Sequence, residues 1–144
     1  MQSVISARAD NTSGKLASGS GGNLIANIPS GLVQITPSSA YFSKYAFVVD
    51  KSQRLLTVWQ GTSQGPQKVT EFPADVGRNS GEKQARDDRR TPVGTYFLTD
   101  MLEGAGLDYK LYGKRAFTLN YPNLFDQIDG KTGSGIWLHA VPDD

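Results

Sequence analysis

A mostly β fold with little helix, a sandwich or barrel preceded by a flexible arm, is predicted by three features of the 144-residue sequence. Two runs rich in β-branched and aromatic residues, Tyr45–Asp50 (YAFVVD) and residues 55–60 (LLTVWQ), flank a short polar turn, which is a β-hairpin pattern. No stretch sustains a 3.6-residue apolar period over the length of an ordinary helix. Residues 13–23 (SGKLASGSGGN) are so rich in Gly and Ser that they cannot bury enough apolar surface to offset their ordering entropy.

Taken in order, residues 1–23 read as mobile. Residues 24–35 carry apolar side chains at Leu24, Ile25, Ile28, Leu32, Val33 and Ile35, interrupted by Pro29 and Gly31, so a short packed arm or a turn of helix is expected. Residues 1–40 are thus a flexible segment or linker and 41–144 the folded domain. After the hairpin, residues 68–76 (KVTEFPADV) form a strand that Pro73 assigns to an edge or a bend. Further strands are expected at 94–99, 115–120 and 135–139. The loop at 77–91 (GRNSGEKQARDDRRT) places five basic residues among three acidic ones. A polar connection of that length is either functional or a solvated, self-neutralising surface loop.

Composition narrows the chemistry. With 15 Lys and Arg against 14 Asp and Glu the net charge is +1, which creates no long-range field for nucleic acid or an anionic membrane. No apolar run approaches the ~20 residues of a membrane-spanning helix. The sequence holds one His and no Cys. Disulfides, Cys-rich zinc sites and multi-His metal sites are therefore beyond these residues, as is a cysteine nucleophile.

The motifs for other chemistries fail. Gly130, Lys131 and Thr132 end like a phosphate-binding loop, but Phe125 stands where its first glycine is needed. Asp126, Asp129 and Gly130 are calcium-loop residue types without the alternating oxygen ligands and closing Glu. No Ser sits in a G-x-S-x-G elbow. The informative segment is 131–144 (KTGSGIWLHAVPDD). In a strand at 135–139, Ile136 and Leu138 face the core while Gly135, Trp137 and His139 share the other face. His139 is then either a structural histidine beside aromatic residues or a base presented at the end of a rigid strand.

Together these residues resemble the L,D-transpeptidase (YkuD-like) catalytic domain. The resemblance is carried by four ordered elements: YAFVVDKSQRLLTVWQ at 45–60, DVGR at 75–78 followed by RTPVGTYF at 90–97, AFTLNYP at 116–122, and GSGIWLH at 133–139. It implies a peptidoglycan acyltransferase in which a cysteine thiolate attacks the stem peptide and forms a thioacyl intermediate, with His139 as the catalytic histidine. It implies substrate contacts from Arg90, Thr91, Tyr96 and Trp137, no metal or organic cofactor, peptidoglycan stem peptides as the binding partner, and a periplasmic or envelope location. A carboxypeptidase or endopeptidase of the same fold, or a non-catalytic wall-binding domain, are the alternatives. Two departures stand out. Ala140 occupies a position usually held by Gly, and the cysteine segment expected after the histidine is absent, so the expected state is a chain cut before its nucleophile and inactive alone. Loss of terminal strands would expose sheet edges, leading to pairing with another chain or to aggregation.

Overall fold

The computed structural model describes residues 4–7, 32 and 43–141. Its strands are β1 (Val4–Ala7), β2 (Tyr45–Asp50), β3 (Leu55–Thr62), β4 (Gly65–Asp75), β5 (Leu98–Glu103), β6 (Arg115–Leu119) and β7 (Trp137–Ala140). The helices are short: a 3₁₀ turn at Gly104–Gly106, α1 (Tyr109–Tyr112) and α2 (Leu124–Ile128). Strands β2, β3 and β4 form one antiparallel sheet, and β5, β6 and β7 another. β1 bridges them, antiparallel to β4 and parallel to β7, so the order is β2-β3-β4-β1-β7-β6-β5. Among the described residues this order is open, with β2 and β5 as edges and no closed barrel.

The hairpin forms where the sequence places it. Asp50 ends β2 and its Oδ1 accepts from the Ser52 hydroxyl at 2.6 Å and from the backbone N–H groups of Ser52 and Gln53 at 2.8 and 3.0 Å. That carboxylate-capped turn lets the chain reverse through Arg54 at a left-handed φ of 53°. The alternation of the strands then turns Leu56 inward, where with Ala74 and Leu138 it makes a buried cluster joined by Val49, Val58, Phe72, Phe117 and Leu119. These residues come from both sheets, so the core lies between them. Full burial of a side chain such as Leu56 stabilises the fold by about 1.5–3 kcal/mol.

Three differences from the sequence expectation have local causes. Val4–Ala7 lies within the stretch assigned to a flexible arm, yet it pairs along β7 from Val4 with Trp137 to Ala7 with Ala140, satisfying a strand edge on each side. Apart from Val4–Ala7 and the buried Leu32, residues 1–35, the Gly/Ser-rich stretch among them, lie outside the described residues. The strand expected at 94–99 begins instead at Leu98. Before it, side chains take the place of ladder partners: Asn120 Oδ1 accepts from the Phe97 N–H at 2.7 Å, and Asn123 Nδ2 donates to the Thr95 carbonyl at 3.2 Å. The last strand is Trp137–Ala140 rather than 135–139, because Gly135 adopts a φ of 69° that no strand residue takes.

Both short α-helices start at a side-chain cap. Asp108 accepts from the Lys110 N–H ahead of α1, and Asn123 and Asp126 form a reciprocal capping box on α2. α1 ends at Gly113, with φ 67° and ψ −154°.

Candidate active site

His139 stands near the end of β7, between its partners on β6 (Ala116) and β1 (Ser6). Strand alternation places Trp137 on the same face and Leu138 on the opposite one, in the core. Tyr112, at the end of α1, joins the first two. Its ring meets the imidazole edge-on at 5.2 Å and 88°, and packs against Trp137 at 5.1 Å. His139 is 8% exposed. Its Nδ1 lies 2.6 Å from the carbonyl oxygen of Ala140. A carbonyl only accepts, so Nδ1 is the donor in this contact, and in the neutral ring that leaves the lone pair on Nε2, the form a base requires.

The other residues singled out by the sequence gather in a second cluster. Thr91 is 2% exposed. Its Oγ1 accepts from the Gly77 N–H at 2.8 Å, and its carbonyl accepts from Lys51 Nζ at 2.6 Å. Gly77 has no room for a side chain, since a Cβ there would lie 2.4 Å from the Arg89 carbonyl oxygen. Thr91 therefore pins the base of the 77–91 loop. Thr91→Val, which keeps the shape and removes the acceptor, is expected to destabilise the fold by about 1–3 kcal/mol. Urea unfolding measures this, and an unchanged midpoint would refute the role.

Tyr96 reaches Asp126 Oδ1 with its hydroxyl at 3.3 Å and meets the Tyr121 ring at 5.8 Å. Burial, reinforced by the Asp126 carboxylate, holds that hydroxyl's pKa well above the usual tyrosine range. Asp126 is itself buried and paired with Lys131 at 3.3 Å, and Lys131 also binds Glu82. Arg90 donates its backbone N–H to Asp88 Oδ1 at 3.1 Å and Nη1 to the Glu82 carbonyl at 3.4 Å. Its Nε is buried and has no hydrogen-bond partner among the described residues. The structure thus unites Trp137 with His139 and engages Arg90, Thr91 and Tyr96 in the architecture of the neighbouring loop.

That loop is ordered from within. Asp88 accepts from Lys83 Nζ at 2.8 Å and from the backbone N–H groups of Gln84, Ala85 and Arg90. Burial pushes the Asp88 carboxyl up, but the Lys83 ammonium and the three N–H donors outweigh it and hold the pKa well below the ordinary range. Lys51 Nζ ties the loop to the hairpin turn through the carbonyls of Gly81 and Thr91.

The sequence reading missed Tyr112, Gly113 and the Lys83–Asp88 pair. A glycine directly after an aromatic residue is a helix-end signal and could have marked α1. No group of three or more His, Asp or Glu side chains among the described residues is placed to hold a metal ion.

A family model of the L,D-transpeptidase catalytic domain (YkuD) matches residues 44–144. Comparison with curated proteins gives no match. Among solved structures, Bd1075 of Bdellovibrio bacteriovorus is similar with a TM-score of 0.65 and 50% identity, over 78% of this chain and 39% of that one. The helical cell shape determining protein Pgp2 of Campylobacter jejuni is similar with a TM-score of 0.59 and 33% identity, over 71% of this chain and 35% of that one. The chain therefore spans well under half the length of these two relatives.

Proposed function

The chain belongs to the L,D-transpeptidase catalytic domain (YkuD) family, and from that membership we propose that it supplies the histidine side of a thiol-dependent acyl transfer on peptidoglycan stem peptides. The observation that carries this reading is the His139 Nδ1 contact with the Ala140 carbonyl at 2.6 Å, which in the neutral ring directs the Nε2 lone pair to proton transfer in the proposed reaction. In the proposed reaction Nε2 takes the proton of a cysteine thiol. The thiolate attacks the carbonyl that joins the third stem residue to the D-amino acid at position four. The C–N bond breaks, His139 returns the proton to the leaving amine, and a thioester remains. Attack by an amine of another stem gives a crosslink, and attack by water gives the tripeptide.

The 144 residues contain no Cys, so the proposed reaction requires a thiol from outside them. Trp137, beside the histidine, is proposed as a substrate contact. Arg90, Thr91 and Tyr96 are proposed to act on the substrate side by holding the shape of the 77–91 loop and the turn that follows it. The location proposed is the periplasm or cell envelope, where stem peptides are found. Among the described residues no helix is long and apolar enough to cross a membrane.

The absence of Cys also favours a second reading, a wall-binding domain of the same fold without catalysis. Incubating the intact gene product with tetrapeptide stems separates the possibilities. Crosslinked dimer identifies a transpeptidase, tripeptide with free D-amino acid a carboxypeptidase, and binding without any product the wall-binding domain.

A further inference from the structure

We propose that the Tyr112–Gly113 turn is a positioning element for His139, with Gly113 admitting the Ala140 carbonyl to the place where it holds the proton on Nδ1, and Tyr112 fixing the plane of the ring. The proposal rests on the reading of His139 as the base and names what sets that base.

Gly113 combines φ 67° with ψ −154°, a region that only glycine occupies without strain. A Cβ at Gly113 would lie 2.9 Å from the Ala140 carbonyl oxygen and 3.2 Å from both its carbonyl carbon and its methyl group. The first distance is shorter than any real Cβ contact, and the atom it meets is the acceptor of the His139 Nδ1–H. A side chain at Gly113 therefore forces a shift at the contact with the carbonyl that accepts from the imidazole. Ala140 tightens the constraint, because its own methyl takes up space beside the same glycine. Tyr112 acts on the ring itself, standing edge-on to it and packed against Trp137, so that it restrains rotation of the imidazole away from the carbonyl. Together the two residues give His139 a single orientation and a single neutral tautomer. An unanchored imidazole would share its proton between the two nitrogens.

His139 is the one histidine of the chain, so long-range ¹H–¹⁵N spectra of the ¹⁵N-histidine-labelled 144-residue protein report on it alone. The neutral wild-type ring is expected to be protonated at Nδ1. In Gly113→Ala the share protonated at Nε2 is expected to rise by about tenfold, the equivalent of one lost hydrogen bond. Gly104→Ala is the control, because Gly104 has a similar φ of 69° with nothing within 4 Å of its added Cβ. It is expected to leave the tautomer ratio unchanged. The proposal is overturned by a wild-type ring protonated at Nε2, by a folded Gly113→Ala with the wild-type ratio, or by an equal change in Gly104→Ala. Should Gly113→Ala fail to fold, Tyr112→Leu decides. Freed of its ring partner, the imidazole is expected to shift several-fold in the same direction, and an unchanged ratio overturns the proposal. The spectra need no thiol, so an inactive intact protein would refute the catalytic reading while leaving this result standing. An active one with an unaltered ratio in Gly113→Ala would do the reverse.

Discussion

His139→Asn in the intact protein is expected to lower kcat/KM on a tetrapeptide stem by about 10²–10⁴-fold, the usual contribution of a positioned acid–base group. The asparagine amide can occupy the position of Nδ1 and still donate to the Ala140 carbonyl, so the local hydrogen bond survives. What is lost is Nε2, for which asparagine has no counterpart. Because Leu138 and the β6 and β1 pairings are untouched, thermal stability should change little. Steady-state kinetics with a melting curve on the same sample separate the two effects. Loss of activity together with a large fall in Tm would mean that His139 is a packing residue, whereas loss at constant Tm identifies the base. A variant that retains wild-type kcat/KM would remove His139 from the mechanism.

Asp88→Asn should produce the largest loss of stability, about 3–5 kcal/mol. Lys83 is only 3% exposed and Asp88 15%, so removing the charge on one leaves the other ammonium nearly buried without its counter-ion. The amide also turns an N–H₂ group toward donors that need an acceptor, since both carboxylate oxygens are already used by Lys83, Gln84, Ala85 and Arg90. For a domain of this size the corresponding fall in Tm is on the order of 10 °C or more. The acid dependence has a defined sign. The folded Asp88 carboxyl has a pKa well below its ordinary value, so its stabilisation is complete above about pH 4 and fades as the pH falls toward the folded value. Urea midpoints of the wild type and Asp88→Asn should therefore differ most at neutral pH and converge in acid. A difference that stayed constant down to pH 2 would show that the charge of Asp88 does not hold the loop.

The parts of the fold legible in the sequence are those governed by a repeating local rule. The Tyr45–Asp50 and Leu55 strands follow from β-branched and aromatic alternation about a turn closed by Asp50, and their register needs no distant contact. The pairing of Trp137 with His139 on one face follows from the two-residue period of a strand. The start of β5 was not legible, because Asn120 and Asn123 intercept the backbone groups of Phe97 and Thr95 from another part of the chain. The 77–91 loop reads as solvated when its charges are counted, and only the fold shows that Asp88 faces four donors at once. Gly113 is likewise silent in the sequence as a site residue, since its need for a bare Cα comes from the approach of Ala140 across the fold.

In the proposed reaction His139, oriented by the Ala140 carbonyl, serves a cysteine thiol from outside these 144 residues. Intact-mass spectrometry of the full gene product quenched during turnover of a tetrapeptide stem tests it most directly. A covalent adduct of the tripeptide acyl group on one cysteine is expected, formed far more slowly in His139→Asn. A full-length protein that turns over the stem with no adduct on any cysteine, or that forms the adduct equally fast in His139→Asn, would contradict it.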